Sequence, residues 1–504
     1  MNLFMQRKMQ IRIAKVLIIA ITMSLFTGCK KAGKDADGAI VLDWYMMSPI
    51  SAMDTENIEM VEEAVNKIIY PQTGAKIDFH FYDRATYTNK IQVMLQTGEE
   101  VDIAFRTGSG SLGSEAYLDI SDMLEEYAPD ILAKVDDIAW QAVTYKGEIR
   151  AIPGQNSWGK KNGWALKKDL VEKYNFDYES VEKLEDLEPF LKAVKEGEPG
   201  ITPILMAKTG YLSAPGQQTW CNAIGGCIVF DVEKGKFVRQ LVDNRETIER
   251  YRLMNEWYQK GYIAQDALAL DSYQSEAKTG KYAVLNNSGT YDKTFKKSTD
   301  YYGFDTVEIY TGLNKYVDAS SIAVVSNSIG ATCKHPEKAL EVLNLIWKDP
   351  NLSNLIAYGI EGVNYEVDEK RTAEIGKKSV VPVSGGKSVY QVAHNWIGPL
   401  WDQWDSTWNT LDALEELKQI NETIKKDGTL PACFGFNFDS EGFETQVAST
   451  ASVMTAAKPI LETGSMAGDF DEYLAKVNAN LTKAGIDDLL NEINRQYDEW
   501  LAAK

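Results

Sequence analysis

Strand-like and helix-like patterns alternate through the first part of the chain's body, and this alternation restricts the possible fold more than any other feature. Ile40 to Tyr45 reads as a buried strand. Thr55 to Ile69 carries Ile58, Val61, Val65 and Ile68 at helical spacing. Lys76 to Tyr82 alternates as a strand, Tyr87 to Thr97 places Ile91, Met94 and Leu95 on one helical side, and Val101 to Phe105 is a further strand. Gly74 and Gly98 stand where the two helices should stop, so the β-α-β-α-β order calls for a parallel sheet covered by helices. A second α/β region follows. Leu184 to Val194 and Arg245 to Lys260 read as helices, the latter ending at Gly261; Thr202 to Met206, Tyr282 to Asn286 and Ser320 to Ser326 read as strands. His335-Pro336-Glu337 opens a helix through Trp347, and Asp471 to Trp500 is amphipathic helix broken at Gly485. A chain of 504 residues exceeds what one hydrophobic core usually fills, so two lobes are expected.

The first thirty residues belong to a different kind of segment. Arg7, Lys8, Arg12 and Lys15 precede an apolar run from Val16 to Phe26, and Thr27-Gly28-Cys29 follows, the three-part layout of a secretory signal. An ordinary cleavage site needs no thiol, whereas the Gly28-Cys29 step resembles the lipobox of bacterial lipoproteins. Phe26 stands where that pattern usually has leucine. The resemblance implies cleavage after Gly28 and acylation of Cys29, palmitate being a typical chain. A signal anchor with a chance cysteine is the alternative, and either leaves the body outside the cytoplasm. Two or three acyl chains would anchor it stably. Lys30 to Gly38 reads as a flexible tether.

The formal charge is −20, and losing the leader's cations would make it more acidic still. Such a field repels nucleic acid and anionic head groups, so no nucleic-acid partner is expected. Once Cys29 is set aside, Cys221, Cys227, Cys333 and Cys433 remain, too scattered for a disulfide framework or a zinc site. Cys221 and Cys227 flank Gly225-Gly226, where a turn would let them bridge; free buried thiols are the other reading.

Few motifs carry chemistry. Gly108, Gly110 and Gly113 satisfy G-x-G-x-x-G, but two strands precede the pattern and no helix opens from it, so it is a poor dinucleotide site. Ser111 lacks the glycine two places before it that an esterase elbow needs. A small-residue loop at the end of a parallel strand is nonetheless where ligands sit in open α/β sheets. His80, His335 and His394 do not pair at metal-ligand spacing; His80 and His335 read as structural, and no metal is expected. Glycosidases bring their carboxylates together only in three dimensions, so no acid pair can be singled out. Aromatics give the better signal. Trp44, Tyr45, Trp158, Trp164, Trp220, Tyr291, Trp396, Trp401 and Trp404 stand beside Gly, Asn, Ser and Pro in expected loops or strand ends. Core packing accounts for any one of them; as a set they suit sugar rings, which pair apolar C–H faces with polar rims.

Longer stretches extend this reading. GKYAVLNNSGTYD at Gly280 to Asp292, SSIAVVSNS with the helix HPEKALEVLNLIW, AYGIEGVNYEVDE at Ala357 to Glu369, FGFNFDSE and the final helix pair resemble extracellular solute-binding lipoproteins of ABC importers. Their type is family one, oligosaccharide-binding, in a Firmicutes-type subgroup with a C-terminal domain of unknown function. The resemblance implies an α/β fold of two lobes, periplasmic-binding-protein-like and of class II type, joined by a multi-strand hinge and closing on ligand. Assigned here, 1–28 is the leader, 29–39 the tether, lobe one 40–147 plus 320–395, and lobe two 148–319 plus 396–504. It further implies a monomer with no cofactor, on the outer face of the cytoplasmic membrane, passing an oligosaccharide to permease subunits. Trp44, Tyr45, Arg106, Trp158, Trp220, Tyr291, Glu361, Tyr365 and Trp396 are the expected ligand contacts. A secreted, lipid-anchored glycosidase or sugar-processing enzyme is the alternative, and a structural surface protein a third reading. The anchor is tested by Cys29→Ala and cell fractionation: the variant should leave the membrane fraction, and its retention there would remove the lipobox from the account.

Overall fold

The structure is a computed structural model that describes residues 38–48, 53–107, 114–159, 161–208, 220–270, 272–286, 302–313, 316–383, 390–406, 410–427 and 430–504. The leader, Cys29 and most of the tether lie outside the described residues. Five strands form the first sheet, in the order Ala75–Tyr82, Ile40–Met47, Ile103–Thr107, Val325–Ile329, Ile152–Pro153. The first three are parallel, and Val325–Ile329 runs antiparallel to both its neighbours. The helices between them stop as their glycines direct: Gly74 and Gly98 both sit at φ 71, each returning its N–H to the last turn. Asp54 and Asp83 cap the helix starts with their carboxylates. The strand Ala75–Tyr82 is an edge, and the helix Thr55–Thr73 closes it. Asn66 brackets Ile77, accepting its N–H at 2.7 Å and donating to its carbonyl at 2.8 Å.

The second lobe carries two sheets. Thr306–Leu313, Lys161–Lys167, Tyr282–Asn286 and Thr202–Ile204 form one, over a core of Trp164, Leu166, Phe190, Trp257 and Val284. Lys236–Arg239, Ile228–Asp231 and Trp220–Ile224 form the other, antiparallel and packed beneath the helices Glu444–Thr463, Phe470–Lys483 and Ile486–Ala502. Here too an asparagine closes an edge: Asn494 accepts from Phe237 N–H at 3.0 Å and donates to its carbonyl at 3.1 Å. The last two helices separate at Gly485, φ 87, as the sequence indicates. Glu444–Thr463 docks on the helix Arg245–Gln259, where Glu462 pairs with Arg250 and Asn255 donates to Gly464 O at 2.8 Å. No helix among the described residues is long and apolar enough to cross a membrane.

Among the described residues, core membership changes between the lobes at three points. Trp158 packs in the first core and Trp164 in the second lobe; Ile309 and Val317 mark the return; Ile424 and Phe436 mark the last passage. Two sequence boundaries therefore shift. Ile152–Pro153 pairs within the first sheet, and Ile397, Ile420 and Ile424 pack in the first core, so the final return to lobe two comes after 424, not at 396. The apolar faces of 394–397 and 411–427 are complementary to the first lobe, which hydropathy order alone does not specify. The expected strand Ser320 to Ser326 is also corrected. Asp318 caps a short helix Ala319–Ala323, and the strand begins only at Val325.

The first passage is fastened at nearly every residue. Gly154 N–H donates to Val325 O at 2.9 Å and Gln155 N–H to Gly398 O at 2.8 Å. The Gln155 amide reaches Lys134 O and accepts from Trp401 N–H, and Asn156 donates to Ile322 O. Asn421, from the helix Leu411–Asp427, donates to Asn156 O and accepts from Trp158 N–H, both at 2.9 Å. Gly154 allows this closeness, because a Cβ there would lie 2.2 Å from Asn395 O. Gly154→Ala should lower stability by about 1 to 3 kcal/mol, read as a lower urea midpoint with unchanged slope; an unaltered midpoint would mean the segment yields.

Candidate functional site

Ligands of open α/β sheets sit beyond the carboxyl ends of the strands, and several loops at those ends, 49–52, 108–113 and 287–301, lie outside the described residues. The Gly108–Gly113 motif and Tyr291 fall there. Trp220 heads a described strand, but its side chain lies outside the description.

Of the remaining expected contacts, the structure joins some and buries others. Trp44 has no exposed surface; its ring packs 5.8 Å from Phe79 and its indole N–H donates to Asn327 Oδ1 at 3.1 Å. Asn327 in turn donates to Trp396 O at 2.7 Å, and the Trp396 ring lies 5.0 Å from Phe105. Trp44 and Trp396 thus share one network, but only half-buried Trp396 keeps surface. Tyr45 is buried and stacks on His80. Arg106 is buried with its guanidinium 4.7 Å from the Tyr117 ring centre, and burial lowers its pKa. Tyr365 is 4% exposed, its hydroxyl taken by Lys378, which also pairs with Glu361 at 2.9 Å and lies over Trp404. Trp44, Tyr45 and Tyr365, expected from sequence as ligand contacts, are thus packed against neighbours in this structure. A strand end rich in small residues looks the same in sequence whether its aromatic turns into the cleft or the sheet.

Trp158 lines a cavity of about 260 Å³ beside the first passage, with Gln155, Asn156, Trp401, Lys418, Asn421 and Lys425. Lys425 lies over the Trp158 ring and Lys418 over Trp401, at 5.5 and 5.7 Å. Lys425 also pairs with Asp136, and Asn156 Oδ1 is buried without a hydrogen-bond partner among the described residues. A second cavity, about 560 Å³, opens between the Tyr145–Gly147 turn of lobe one and the C-terminal helix, lined by Phe436, Asn437, Asp439, Arg495 and Trp500. Lys146 spans it to Asp439 at 2.6 Å. Sequence reasoning missed this group, because its members come from three distant segments and share no spacing signal.

The cysteines follow the free-thiol reading. All four described thiols are free, and the Cys221–Cys227 bridge does not form. Gly225 and Gly226 do make a tight turn, at φ 58 and 69, but the hairpin register sets Cys221 opposite Phe230. Cys221 Sγ lies instead 3.6 Å from Cys433 Sγ. That neighbour and burial push the Cys221 thiol well up, and burial takes Cys227 to about 11, so both stay protonated and inert.

Comparison with known proteins places this geometry. Over 97% of its length the chain is 25% identical to a carbohydrate ABC transporter substrate-binding protein of Streptococcus pneumoniae serotype 4, covering 98% of that protein. Residues 432–502 match a domain of unknown function, DUF3502. The crystal structure of the N-glycan transport solute-binding protein of Streptococcus pneumoniae superposes with a TM-score of 0.75 at 24% identity, over 92% of this chain and 99% of that one. The fold is that of a two-lobed solute-binding protein. An extracellular solute-binding protein of Bifidobacterium longum subsp. infantis shares the solute-binding fold at TM-score 0.62 and 16% identity, over 92% and 99%. In this solute-binding fold the DUF3502 segment is the helical cap of the second lobe's smaller sheet.

His394 gives the hinge side of the site a measurable signature. It is fully buried 5.2 Å from the Tyr358 ring, Nε2 has no hydrogen-bond partner among the described residues, and burial lowers its pKa to about 3. The unfolded chain takes up this proton below about pH 6.5 and the folded chain does not, so this stability is present above pH 6.5 and lost as pH falls toward 3. The loss should approach 1.4 kcal/mol per pH unit, roughly. Urea unfolding of the native chain and His394→Gln between pH 7 and 4 should show the steeper fall in the native chain; parallel curves would refute it.

Proposed function

We propose that this chain is the capture subunit of an ABC importer, taking an extracellular oligosaccharide between its lobes and presenting it to membrane permease subunits. The observation carrying this reading is the architecture: two lobes with separate cores, joined by three passages, in a chain alignable end to end with a carbohydrate ABC transporter substrate-binding protein. Lobes with separate cores can rotate about the segments that join them, and closure is favoured only by ligand contacts that the open form lacks. The solved relative's complexes with Man1GlcNAc and Man5GlcNAc support a carbohydrate as the ligand class. We take Trp396, Trp220, Tyr291 and Trp158 as the contacts most suited to stacking on sugar. The protein works as a monomer held at the membrane by lipid on Cys29, and it does not turn over what it binds.

A thermal-shift screen against an oligosaccharide panel identifies the ligand class, since ligand at a hundred times its Kd adds about 2.7 kcal/mol. With a hit in hand, small-angle scattering should show a smaller radius of gyration, and tryptophan emission should change with it. Trp220→Ala should weaken binding about ten-fold without unfolding. A bound oligosaccharide that leaves the radius unaltered would end the closure reading, and product formation would point to an enzyme.

A further inference from the structure

On the first sheet, one face of two neighbouring strands gathers an imidazole and two carboxylates. Asp43 stands opposite Asp78, and Tyr45 opposite His80, in a parallel pair whose facing residues point to the same side. His80 Nε2 lies 2.8 Å from Asp43 Oδ1 and 3.8 Å from Asp78 Oδ1, and one ligand atom from each residue falls within 4.8 Å of the others. We propose that Asp43, Asp78 and His80 form a divalent-cation site suited to Zn²⁺, with solvent completing the coordination. This inference does not depend on the ligand-capture reading.

Three features of the structure support it. Like charges facing each other across strands repel. Neither aspartate forms an ion pair with lysine or arginine among the described residues, so one imidazole alone faces both carboxylates. The donors are also held from behind: Tyr45 stacks on His80 at 4.7 Å, and the Asp43 backbone N–H is fixed to Asp102 Oδ2 at 2.9 Å. Fixed orientation of this kind is what metal ligands receive from their surroundings. From the covering helix, the Glu62 carboxyl accepts from Phe79 N–H, between Asp78 and His80, at 3.0 Å. Finally, the donor set is chemically selective. One nitrogen with carboxylate oxygens suits Zn²⁺, whereas Ca²⁺ takes six or more oxygens. The three side chains remain 20 to 39% exposed, so an ion can enter.

The test uses the full chain after chelator treatment, titrated with Zn²⁺ alone in a calorimeter. One ion should bind per chain, and Ca²⁺ at least ten-fold more weakly. His80→Gln and Asp78→Asn should each weaken Zn²⁺ binding ten-fold or more, while His335→Gln, at a helix start elsewhere, should not. Should either variant fail to fold, labelling of native His80 by diethyl pyrocarbonate, read by peptide mass spectrometry, should be blocked by Zn²⁺. No uptake, unchanged affinity in His80→Gln, or undiminished labelling of His80 with Zn²⁺ bound would overturn the site.

Discussion

A peptide segment that runs through the interior between two lobes must find a partner for each of its backbone polar groups, because an unsatisfied buried one costs about 1 to 3 kcal/mol. Within residues 153–158, Val325, Gly398 and Asn421 pair with backbone groups, while Lys134, Trp401 and Ile322 are held by the side-chain amides of Gln155 and Asn156. Those partners include Val325 on the strand next to the edge of the first sheet, Ile322 on the short helix before it, and Asn421 on a helix more than 250 residues away in sequence. The arrangement of the first lobe is in that sense the arrangement that satisfies this passage. It also explains why 394–427 stays with lobe one: moving it away would strip Gln155, Asn156 and Trp158 of their partners together.

Both lobes show the same solution at their sheet edges. Asn66 and Asn494 each turn one amide toward a single strand residue, matching its N–H and its C=O at once. An open edge would invite pairing with another chain. The helix that presents the asparagine also supplies the apolar cover, so one element serves the polar and the apolar needs of the edge.

Much of this was readable in the residues. Gly74, Gly98 and Gly485 mark helix ends because only glycine takes the left-handed backbone there cheaply, and the parallel start of the first sheet followed from strand and helix order. The site was less legible. Trp44, on the buried strand Ile40–Met47, is sealed under Asn327, whereas Trp396, on the short helix His394–Ile397, keeps surface, a distinction that only the packed fold sets. The Asp43, Asp78 and His80 group escaped because its spacing is across strands, where register, not sequence distance, decides what meets. The Cys221 neighbour was missed for the same reason: its nearest thiol lies 212 residues away.

The interleaving of the lobes has a consequence for how the chain acquires its shape. The first core joins Leu42 to Ile424, and the smaller sheet of the second lobe waits for Ile493 and Tyr497. Contacts this remote make folding slow, since loop closure precedes any reward from them. A chain emerging from one end therefore cannot complete the first core or the cover of the smaller sheet until late residues have emerged, whereas the core from Trp164 to Ile309 draws on one continuous stretch. The apolar strands of the first lobe and of the smaller sheet need shielding from aggregation until their late partners arrive.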